Sequence, residues 1–369
     1  MRPRVRTSDR AALEIWLWSR LAVFLLAAVG VLALAGNAAR APGPVQAWAR
    51  WDADLLRKIA EHGYDGRPEH YADVGVEAFF PGFPLLLRLV HLVVPSWTAA
   101  GLLISLVAGA VACVALARLA AADGVDGPRA VLYLVASPSA VFLAAGYTEA
   151  LFLALALPAW LAARDGRWAA AGLLVAAACT VRVNGVFLAV AVGVHYLVLS
   201  RGRLRPDALW LLAPLAAVAA YAGYLRWLTG DWLRWFAAQE QGWDRRLTAP
   251  WDALTATVGM ATPGSGAGAF VHVARLEIAA VAVGLLLTGV LLRRRRWAEA
   301  VYVGLSVGAL ATSTFYLSVA RSTLLWFPLW VALAALAARW RWVHPAYLAV
   351  AVPLMVLGVL LFTTGRWAG

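Results

Sequence analysis

Apolar stretches recur along almost the whole chain, and short polar or basic segments separate them. Many of them contain roughly 17–25 residues, which lets a helix cross the hydrocarbon core of a bilayer, about 30 Å thick. The first stretch, residues 15–36, is longer than the apolar part of a signal peptide, and no clear cleavage site follows it. The pattern therefore predicts an all-α polytopic membrane protein whose first span is retained.

Basic residues concentrate in short connections between the apolar stretches, and such connections are expected to face the cytoplasm. They lie at 2–6, 164–167, 201–206, 293–296 and 339–343. Placing all of them inside gives about eleven spans, with the N-terminus in the cytoplasm and the C-terminus outside. This count requires residues 80–95 to lie along the outer face, as their three prolines and the polar Arg88 and His91 indicate.

Five segments then face the outside, and together they contain every stretch with unusual polar chemistry. They are the loop 37–97, the turns near 146–149 and 182–185, the loop 229–269 and the turn near 317–322. The topology depends on the basic segments alone, so this grouping is an independent indication of a site. We expect one integral membrane domain over residues 1–369, in which 37–97 carries interfacial helices and 229–269 is a second large external loop.

The composition agrees with a membrane protein, because 63% of the residues are hydrophobic and only 14% are charged. The net charge of +12 would suit nucleic-acid binding, but the positive-inside distribution already accounts for the basic residues. The expected partner is therefore the bilayer and not nucleic acid. Cys113 and Cys179 both lie inside apolar spans, where a thiol behaves as a small hydrophobic group, so no disulfide framework is readable.

An acidic residue follows the first span at the expected membrane edge. Asp52 precedes a helix predicted over residues 53–63, whose apolar face would lie on the bilayer surface. Its carboxylate has two interpretations: it caps that helix, or it acts as a general base on a lipid-borne substrate. Asp54 lies close by in sequence but would point about 200° around the helix.

Two turns between apolar spans carry ionisable or amide side chains. Glu149 begins a span at the outer face, where it either interacts with the helix dipole or faces a cavity. Arg182 and Asn184 lie at a break between two spans and offer hydrogen-bond donors. The Arg182 guanidinium suits a phosphate, although an arginine there also suits the lipid headgroups.

The second external loop interleaves aromatic and polar residues, among them Trp243 and Arg245. Such a surface suits a sugar, whose apolar faces stack on tryptophan, but a second interfacial helix would have the same pattern. Arg321 lies on the outer side against the positive-inside bias, so we expect a lipid phosphate or a carboxylate beside it. His62 and His70 share the first loop with acidic residues but show no recognisable ligand spacing, and no metal site is predicted.

Four segments of the N-terminal half resemble PIG-V-type mannosyltransferases. Two resemble the first luminal loop of that family, one its P-x-x-x-F-x-x-x-Y-[ST]-E-x-L-F segment, and one its R-S-N-G turn. In that order they are residues 51–52 with 59–64, 79–84, 138–152 and 182–185. Val183 stands where the family turn has serine, and the stretch from Arg321 to Pro328 extends the resemblance.

The resemblance implies the GT-C glycosyltransferase fold, a lipid-phosphate sugar donor and an acidic base in the first external loop, which Asp52 matches. Members of the family in eukaryotes mannosylate a glycolipid anchor precursor. The chain is rich in alanine, arginine and tryptophan, as proteins of high-GC bacteria are. We therefore expect a bacterial member with another acceptor, a glycolipid or polysaccharide of the cell envelope.

The expected reaction is an inverting transfer of mannose from polyprenyl-phosphate mannose to a lipid-linked or cell-envelope acceptor, on the extracytoplasmic side of the cell membrane and without a cofactor. Asp52 is the expected general base. The expected ligands of the donor phosphate are, in order, Arg182, Arg321 and Arg245. The expected sugar or acceptor ligands are Trp51, Tyr147, Glu149, Asn184 and Trp243. The alternatives are a non-catalytic carrier or flippase for a polyprenyl-linked sugar, and a partner subunit of an envelope glycosylation complex.

Overall fold

The computed structural model describes residues 3–34, 43–64, 67, 74–264, 268 and 270–367, and every regular element in these ranges is a helix. The prediction of an all-α protein is therefore confirmed. The α-helices are α1 Pro3–Leu34, α2 Asp52–His62, α3 Gly82–His91, α4 Trp97–Ala122, α5 Gly127–Val135, α6 Thr148–Arg164, α7 Trp168–Cys179, α8 Asn184–Leu199, α9 Ala213–Thr229, α10 Arg234–Trp243, α11 Pro250–Ala261, α12 Phe270–Arg293, α13 Trp297–Ala311, α14 Val319–Ser322, α15 Phe327–Arg339 and α16 Val343–Thr363.

Within the described residues, five helices are long and apolar enough to cross a membrane. They are Thr7–Ala33, Trp97–Ala122, Pro206–Thr229, Phe270–Arg293 and Val343–Thr363. The segments Val319–Leu325 and Phe327–Arg339 make a sixth if they count as one span, although they meet at 77°. These helices confirm a polytopic membrane protein.

Fewer helices are long and apolar enough to cross a membrane than the predicted number of about eleven spans. The difference arises because several predicted spans contain short helices. Helix α7 has 12 residues and α8 has 16, which correspond to about 18 and 24 Å. Helix α3 has 10 residues and is therefore about 15 Å long. It cannot cross a bilayer alone, in agreement with the surface position expected for residues 80–95.

The chain forms two compact units. The first unit comprises the described parts of residues 1–57, 85–161 and 324–368. In this unit, α1 packs against α4, α5 and α16. A Cβ at Gly109 would overlap the ring of Trp16, whose Nε1 donates a 3.0 Å hydrogen bond to the Leu106 carbonyl oxygen. The small residue therefore permits close packing while the indole N–H keeps a partner, as apolar surroundings require.

The second unit comprises the described parts of residues 58–84 and 162–323. In this unit, α8 packs against α7 and α13, and α12 packs against α13. Gly172 in α7 lies directly on the backbone of Trp210, in the 3-10 segment Pro206–Leu212, where a Cβ would overlap the chain. A small residue is thus needed where this segment crosses α7.

Two ion pairs join segments that the topology places on the same side. In the first unit, Arg118 Nη2 lies 2.7 Å from an oxygen of Asp9, and both residues are expected inside. In the second unit, Arg234 Nε lies 2.9 Å from an oxygen of Glu77, in the two loops expected outside. Both pairs agree with the predicted grouping of the connections, while the side of the membrane stays a prediction.

Candidate functional site

The first loop meets the segment before α6 at Tyr147. The backbone N–H of Asp52 donates a hydrogen bond to the Tyr147 hydroxyl, 3.2 Å away, and this hydroxyl donates to the Arg50 carbonyl oxygen at 3.4 Å. Trp51 lies between them with φ of 51°, in the left-handed region that favours glycine. Two segments that the sequence singled out separately therefore lie together in the first unit.

The interpretation of Asp52 as the N-cap of a helix that begins at residue 53 is wrong. The helix begins at Asp52, one residue before the predicted start. The Trp51 carbonyl oxygen accepts the first helical hydrogen bond, from the N–H of Leu55 at 3.3 Å, so Trp51 occupies the N-cap position. The Asp52 carboxylate therefore lies in the first turn of α2, near the positive end of the helix dipole. Asp52 is only 9% exposed.

The side chains around Asp52 differ in how deeply they are buried. The Trp51 side chain is 41% exposed and meets the ring of Trp367 edge-on, with 5.2 Å between the ring centroids. Tyr147 is 2% exposed and packs against Phe362. Glu149 is fully buried in the first turn of α6, so it is an interior carboxylate and not the interfacial charge of the alternative interpretation. Trp51 alone of the predicted ligands in this unit offers an accessible surface.

The irregular backbone between α5 and α6 holds Tyr147 in place. Apolar surroundings require every backbone carbonyl of such a segment to find a donor. Buried Arg20 supplies one through Nη1, which lies 3.1 Å from the Ala140 carbonyl oxygen. The Ser105 hydroxyl supplies another to the Ala145 carbonyl oxygen, at 2.5 Å. Both donors come from spans of the same unit, α1 and α4.

In the second unit, the turn between α7 and α8 carries Arg182 and Asn184. A Cβ on Gly185 would overlap the backbone of Cys179, so this tight turn needs glycine at its last position. Asn184 is buried, and its Nδ2 lies 3.5 Å from the Ser306 hydroxyl oxygen in α13. Arg182 is half-buried. The turn therefore carries a half-buried arginine two residues before a buried amide, and their role as ligands stays a prediction.

The 79–84 motif contacts the same turn. The N–H of Gly82 donates a hydrogen bond to the Thr180 carbonyl oxygen at 2.6 Å, and a Cβ on Gly82 would lie only 2.7 Å from that oxygen. Gly82 thus lets the first loop approach the chain two residues before Arg182. The 79–84 motif therefore contacts the chain directly before the 182–185 motif, in the second unit.

The loop 229–269 packs on the first loop through aromatic and charged residues. Trp243, at the end of α10, meets Phe79 edge-on, with 5.3 Å between the ring centroids. The Trp235 indole N–H donates to the Ala78 carbonyl oxygen at 3.2 Å, next to the ion pair of Arg234 with buried Glu77. Trp243 therefore has a packing role in the structure, whatever it contributes to sugar binding.

The two remaining predicted arginines come from different segments: Arg321 lies between α13 and α15, and Arg245 lies between α10 and α11. Arg245 donates from Nη2 to the Leu317 carbonyl oxygen at 3.0 Å. Arg321 belongs to the short helix α14 and is 9% exposed. The structure thus brings Arg245 to the backbone four residues before Arg321. Arg182 and Asn184 form the other group of predicted ligands in this unit.

Glu277, which is not among the residues predicted for the site, is fully buried in α12. Its carboxylate accepts backbone hydrogen bonds from three successive residues, at 2.8, 2.6 and 2.9 Å. The donors are Ser318, Val319 and Ala320. An acidic residue within an apolar span is itself a signal, because such residues face the protein interior and have partners there. Its contact with the three residues that precede Arg321 could not be predicted from the sequence.

No group of three or more His, Cys, Asp and Glu side chains that could hold a metal occurs among the described residues. His62 ends α2, and its Nε2 lies 3.8 Å from an oxygen of Glu61. His70, the other histidine of this loop considered above, lies outside the described residues.

The fold defines a class, a helical membrane protein. Its first unit contains the buried acid Asp52, and its second unit contains the predicted arginines, each described by itself. Residues 38–202 match the sequence profile of the family described as Mannosyltransferase (PIG-V). Over this region, somewhat less than half of the chain, the protein is similar to the PIG-V mannosyltransferases, as the resemblance of its motifs predicts. All four motifs of the resemblance lie inside the matched range, whereas Arg245 and Arg321 lie beyond it.

Curated relatives match over a similar extent. GPI alpha-1,6-mannosyltransferase 2 of Mus musculus is 40% identical over 152 residues, which cover 37% of this chain and 29% of that protein. The Rattus norvegicus protein of the same name is 40% identical over 182 residues, 45% of this chain and 34% of its own length. The Homo sapiens protein is 38% identical over 152 residues, with shares of 37% and 29%. The chain thus spans about a third of the length of these relatives.

Proposed function

We propose that this protein is a membrane glycosyltransferase that moves a mannosyl residue from polyprenyl-phosphate mannose to a lipid-linked or cell-envelope acceptor on the extracytoplasmic side. The match of residues 38–202 to the PIG-V mannosyltransferase profile and the names of the curated relatives support mannosyl transfer. Those relatives are named for transfer to GPI. For this chain we propose a glycolipid or polysaccharide acceptor, because the composition is typical of a bacterium.

The observation that carries the proposal is the contact between Tyr147 and Asp52. It fixes the backbone of a buried acid at the start of α2, and a second buried acid, Glu149, follows Tyr147 by two residues. A general base must be held within hydrogen-bonding reach of the proton that it removes. A backbone tied to a tyrosine of a different segment meets this requirement better than a free loop would.

The reaction follows from these groups. The acceptor hydroxyl oxygen attacks the anomeric carbon of the mannosyl residue from the face opposite the leaving group, so the configuration inverts. As the new C–O bond forms, the bond from that carbon to the phosphate oxygen breaks, and polyprenyl phosphate leaves. The hydroxyl proton passes to the Asp52 carboxylate. Trp51, with its partly exposed ring, is proposed to contact the sugar or acceptor.

The leaving phosphate gains negative charge in this step, and cationic donors lower the barrier by stabilising it. We propose Arg182, Arg321 and Arg245 for this role, because a guanidinium binds phosphate oxygens through paired N–H groups. Asn184 beside Arg182, and Trp243 in the second loop, are proposed sugar ligands. Since arginine supplies the positive charge, the proposed reaction needs no metal.

The decisive experiment measures mannosyl transfer by the purified protein in lipid vesicles, with polyprenyl-phosphate mannose labelled in the sugar and membrane lipids as acceptors. Wild type is compared with Asp52→Asn, which keeps the size of the side chain but cannot take the proton. Asp54→Asn is the matched control. Asp54 lies on the same helix and pairs with Arg57 at 2.9 Å, away from the proposed chemistry.

We expect transfer by wild type and by Asp54→Asn, and a loss of at least roughly a hundredfold in Asp52→Asn, in the range of general-base catalysis. Equal rates in Asp52→Asn and wild type would overturn the assignment of Asp52. If the folded wild type transfers no mannose but equilibrates the labelled lipid across the vesicle membrane, the carrier alternative replaces this proposal. If transfer requires a second protein and is unchanged in Asp52→Asn, the partner-subunit alternative replaces this proposal.

A further inference from the structure

Glu277 is the most deeply buried acid of the second unit that the proposed reaction does not use. It lies in α12, one of the helices long enough to cross a membrane, and its side chain is fully buried. A carboxylate in such surroundings is costly unless several donors satisfy it. Its partners are backbone N–H groups of residues 318–320, which lie 41 to 43 positions further along the chain.

Both oxygens of Glu277 act as acceptors. One accepts the N–H of Ser318, and the other accepts those of Val319 and Ala320. Ser318 has φ of 63°, and this left-handed residue turns the three N–H groups toward a common point at the start of α14. Without an acceptor, these N–H groups would be left without hydrogen bonds in an apolar environment. The carboxylate therefore determines the conformation of this turn.

The turn that Glu277 holds leads directly into Arg321. Ala320 is the last residue bonded to the carboxylate, and Arg321 is the next residue of α14. On the other side, Arg245 binds the carbonyl oxygen of Leu317, just before the first bonded N–H. The turn bonded to Glu277 thus lies between the Arg245 contact at Leu317 and Arg321 itself.

We propose that Glu277 is a positioning residue that holds Arg321 and Arg245 for the phosphate of the lipid-linked donor. It touches neither donor nor acceptor, and it acts through the backbone of residues 317–320. This inference rests on the proposed function, since it gives the two arginines their ligand. It explains why a buried acid lies within a helix that is long enough to cross a membrane.

The test compares Glu277→Gln with a matched control, Thr257→Val. Glutamine has one acceptor oxygen, so at least one of the three N–H groups would face its NH₂ group, which cannot accept. Thr257 is buried and accepts the N–H of Tyr316 at 2.9 Å, two residues before Ser318. Thr257 belongs to α11, so Thr257→Val removes a buried acceptor of the loop that contains Tyr316. The hydrogen bonds of residues 318–320 to Glu277 are left in place.

The readouts are the KM values for donor and acceptor, the kcat, and the affinity for polyprenyl phosphate alone, measured by equilibrium binding. We expect Glu277→Gln to raise the donor KM and weaken polyprenyl phosphate binding by roughly tenfold, the factor expected for losing a hydrogen bond to a charged group. The acceptor KM should not change. Thr257→Val should leave both donor quantities within about twofold of wild type, because the bonded turn is intact.

A double variant separates positioning from a general loss of structure. If Glu277 acts through Arg321, then Glu277→Gln should cost little further affinity in an Arg321→Ala background. Losses that multiply fully in the double variant would overturn the proposal, as would an unchanged donor affinity in folded Glu277→Gln. Glu277→Asp keeps the charge and should restore part of the affinity if glutamine prevents folding.

The binding assay also separates this inference from the proposed function. It needs no turnover, so it reports on the arginine segment even if wild type transfers no mannose. Failure of transfer with a tenfold loss of polyprenyl phosphate binding in Glu277→Gln would reject the enzyme but keep the positioning role. Transfer by wild type with equal binding in both proteins would keep the enzyme and reject the role.

Discussion

The Tyr147 hydroxyl accepts a hydrogen bond from the backbone N–H of Asp52, although 95 positions separate the two residues in the chain. It also donates to the carbonyl oxygen of Arg50, so one phenol contacts the backbone on both sides of Trp51. The left-handed conformation of Trp51 is uncommon for a bulky residue and needs such support from its surroundings. Tyr147 thus couples the segment before α6 to the start of α2.

Replacing Tyr147 by phenylalanine should therefore reduce mannosyl transfer without unfolding the protein. The ring still packs on Phe362, but both hydrogen bonds to the 50–52 segment are lost. A small displacement of a catalytic group costs between roughly ten- and a hundredfold in rate. The measurement is kcat for transfer from labelled polyprenyl-phosphate mannose.

The matched control for this prediction is Tyr133→Phe. Tyr133 is another fully buried tyrosine of the first unit, and its hydroxyl lies 3.0 Å from His344 Nδ1. Its loss should leave kcat within about twofold, because this side chain has no contact with the Asp52 segment. Equal losses in both variants would show that any buried tyrosine matters and would contradict the specific role of Tyr147.

Gly82 should not tolerate alanine, because its Cβ position lies 2.7 Å from the Thr180 carbonyl oxygen, and the clash is with backbone. The first loop or the Arg182 turn must then move. We expect Gly82→Ala to raise the donor KM by roughly tenfold, since the displaced turn carries a proposed phosphate ligand. The variant is assayed beside Gly193→Ala.

Gly193 lies inside α8, and no atom lies within 4 Å of its Cβ position. Alanine there should raise the melting temperature slightly, because glycine is unfavourable in a helix by about 0.5–1 kcal/mol. A normal donor KM in Gly82→Ala, or a comparable rise in Gly193→Ala, would show that the contact with Thr180 does not set the position of Arg182.

Arg182→Lys should weaken the donor while keeping the positive charge. Lysine offers a point charge, whereas the guanidinium offers paired N–H groups to phosphate oxygens. We expect the donor KM to rise by roughly tenfold with little change in the acceptor KM, the factor of one lost charge-assisted hydrogen bond. Arg203→Lys, at an exposed arginine between α8 and α9, is the control and should behave as wild type. A selective rise in the acceptor KM would instead place Arg182 on the acceptor side.

Much of this architecture was predictable from the sequence. The helices lie at the expected apolar stretches, because hydrophobicity over some twenty residues is a strong signal. The number of complete spans was not predictable. The bend of 77° at Trp326, for example, breaks a stretch that reads as continuously apolar.

The local errors at the site have equally specific causes. Asp52 reads as an N-cap because aspartate favours that position. The structure gives it to Trp51, since contacts with Tyr147 support a positive φ that no sequence rule assigns to tryptophan. The contacts of Glu277 were not predictable because its partners are backbone N–H groups, which every residue except proline carries and which therefore leave no signature in the sequence.

The ion pair of Glu77 with Arg234 should stabilise the second unit far more than an exposed pair does. The Glu77 side chain is 6% exposed, so Arg234→Ala would leave a buried carboxylate without its cation. We expect a loss of roughly 2–4 kcal/mol, measured as a fall of at least about 5 °C in the melting temperature in detergent. Adding Glu77→Gln to Arg234→Ala should recover part of the lost stability, because the glutamine carries no buried charge.

The pair Arg10 with Glu14 is the matched control, since both side chains are more than half exposed. Arg10→Ala should change the melting temperature by no more than about 1–2 °C, because exposed pairs contribute between about 0 and 1 kcal/mol. If Arg234→Ala changes the melting temperature no more than Arg10→Ala does, Glu77 remains solvated in the protein. The loops 37–97 and 229–269 then do not depend on this contact. If the double variant is less stable than Arg234→Ala alone, the cost comes from lost packing of the guanidinium and not from an unpaired charge.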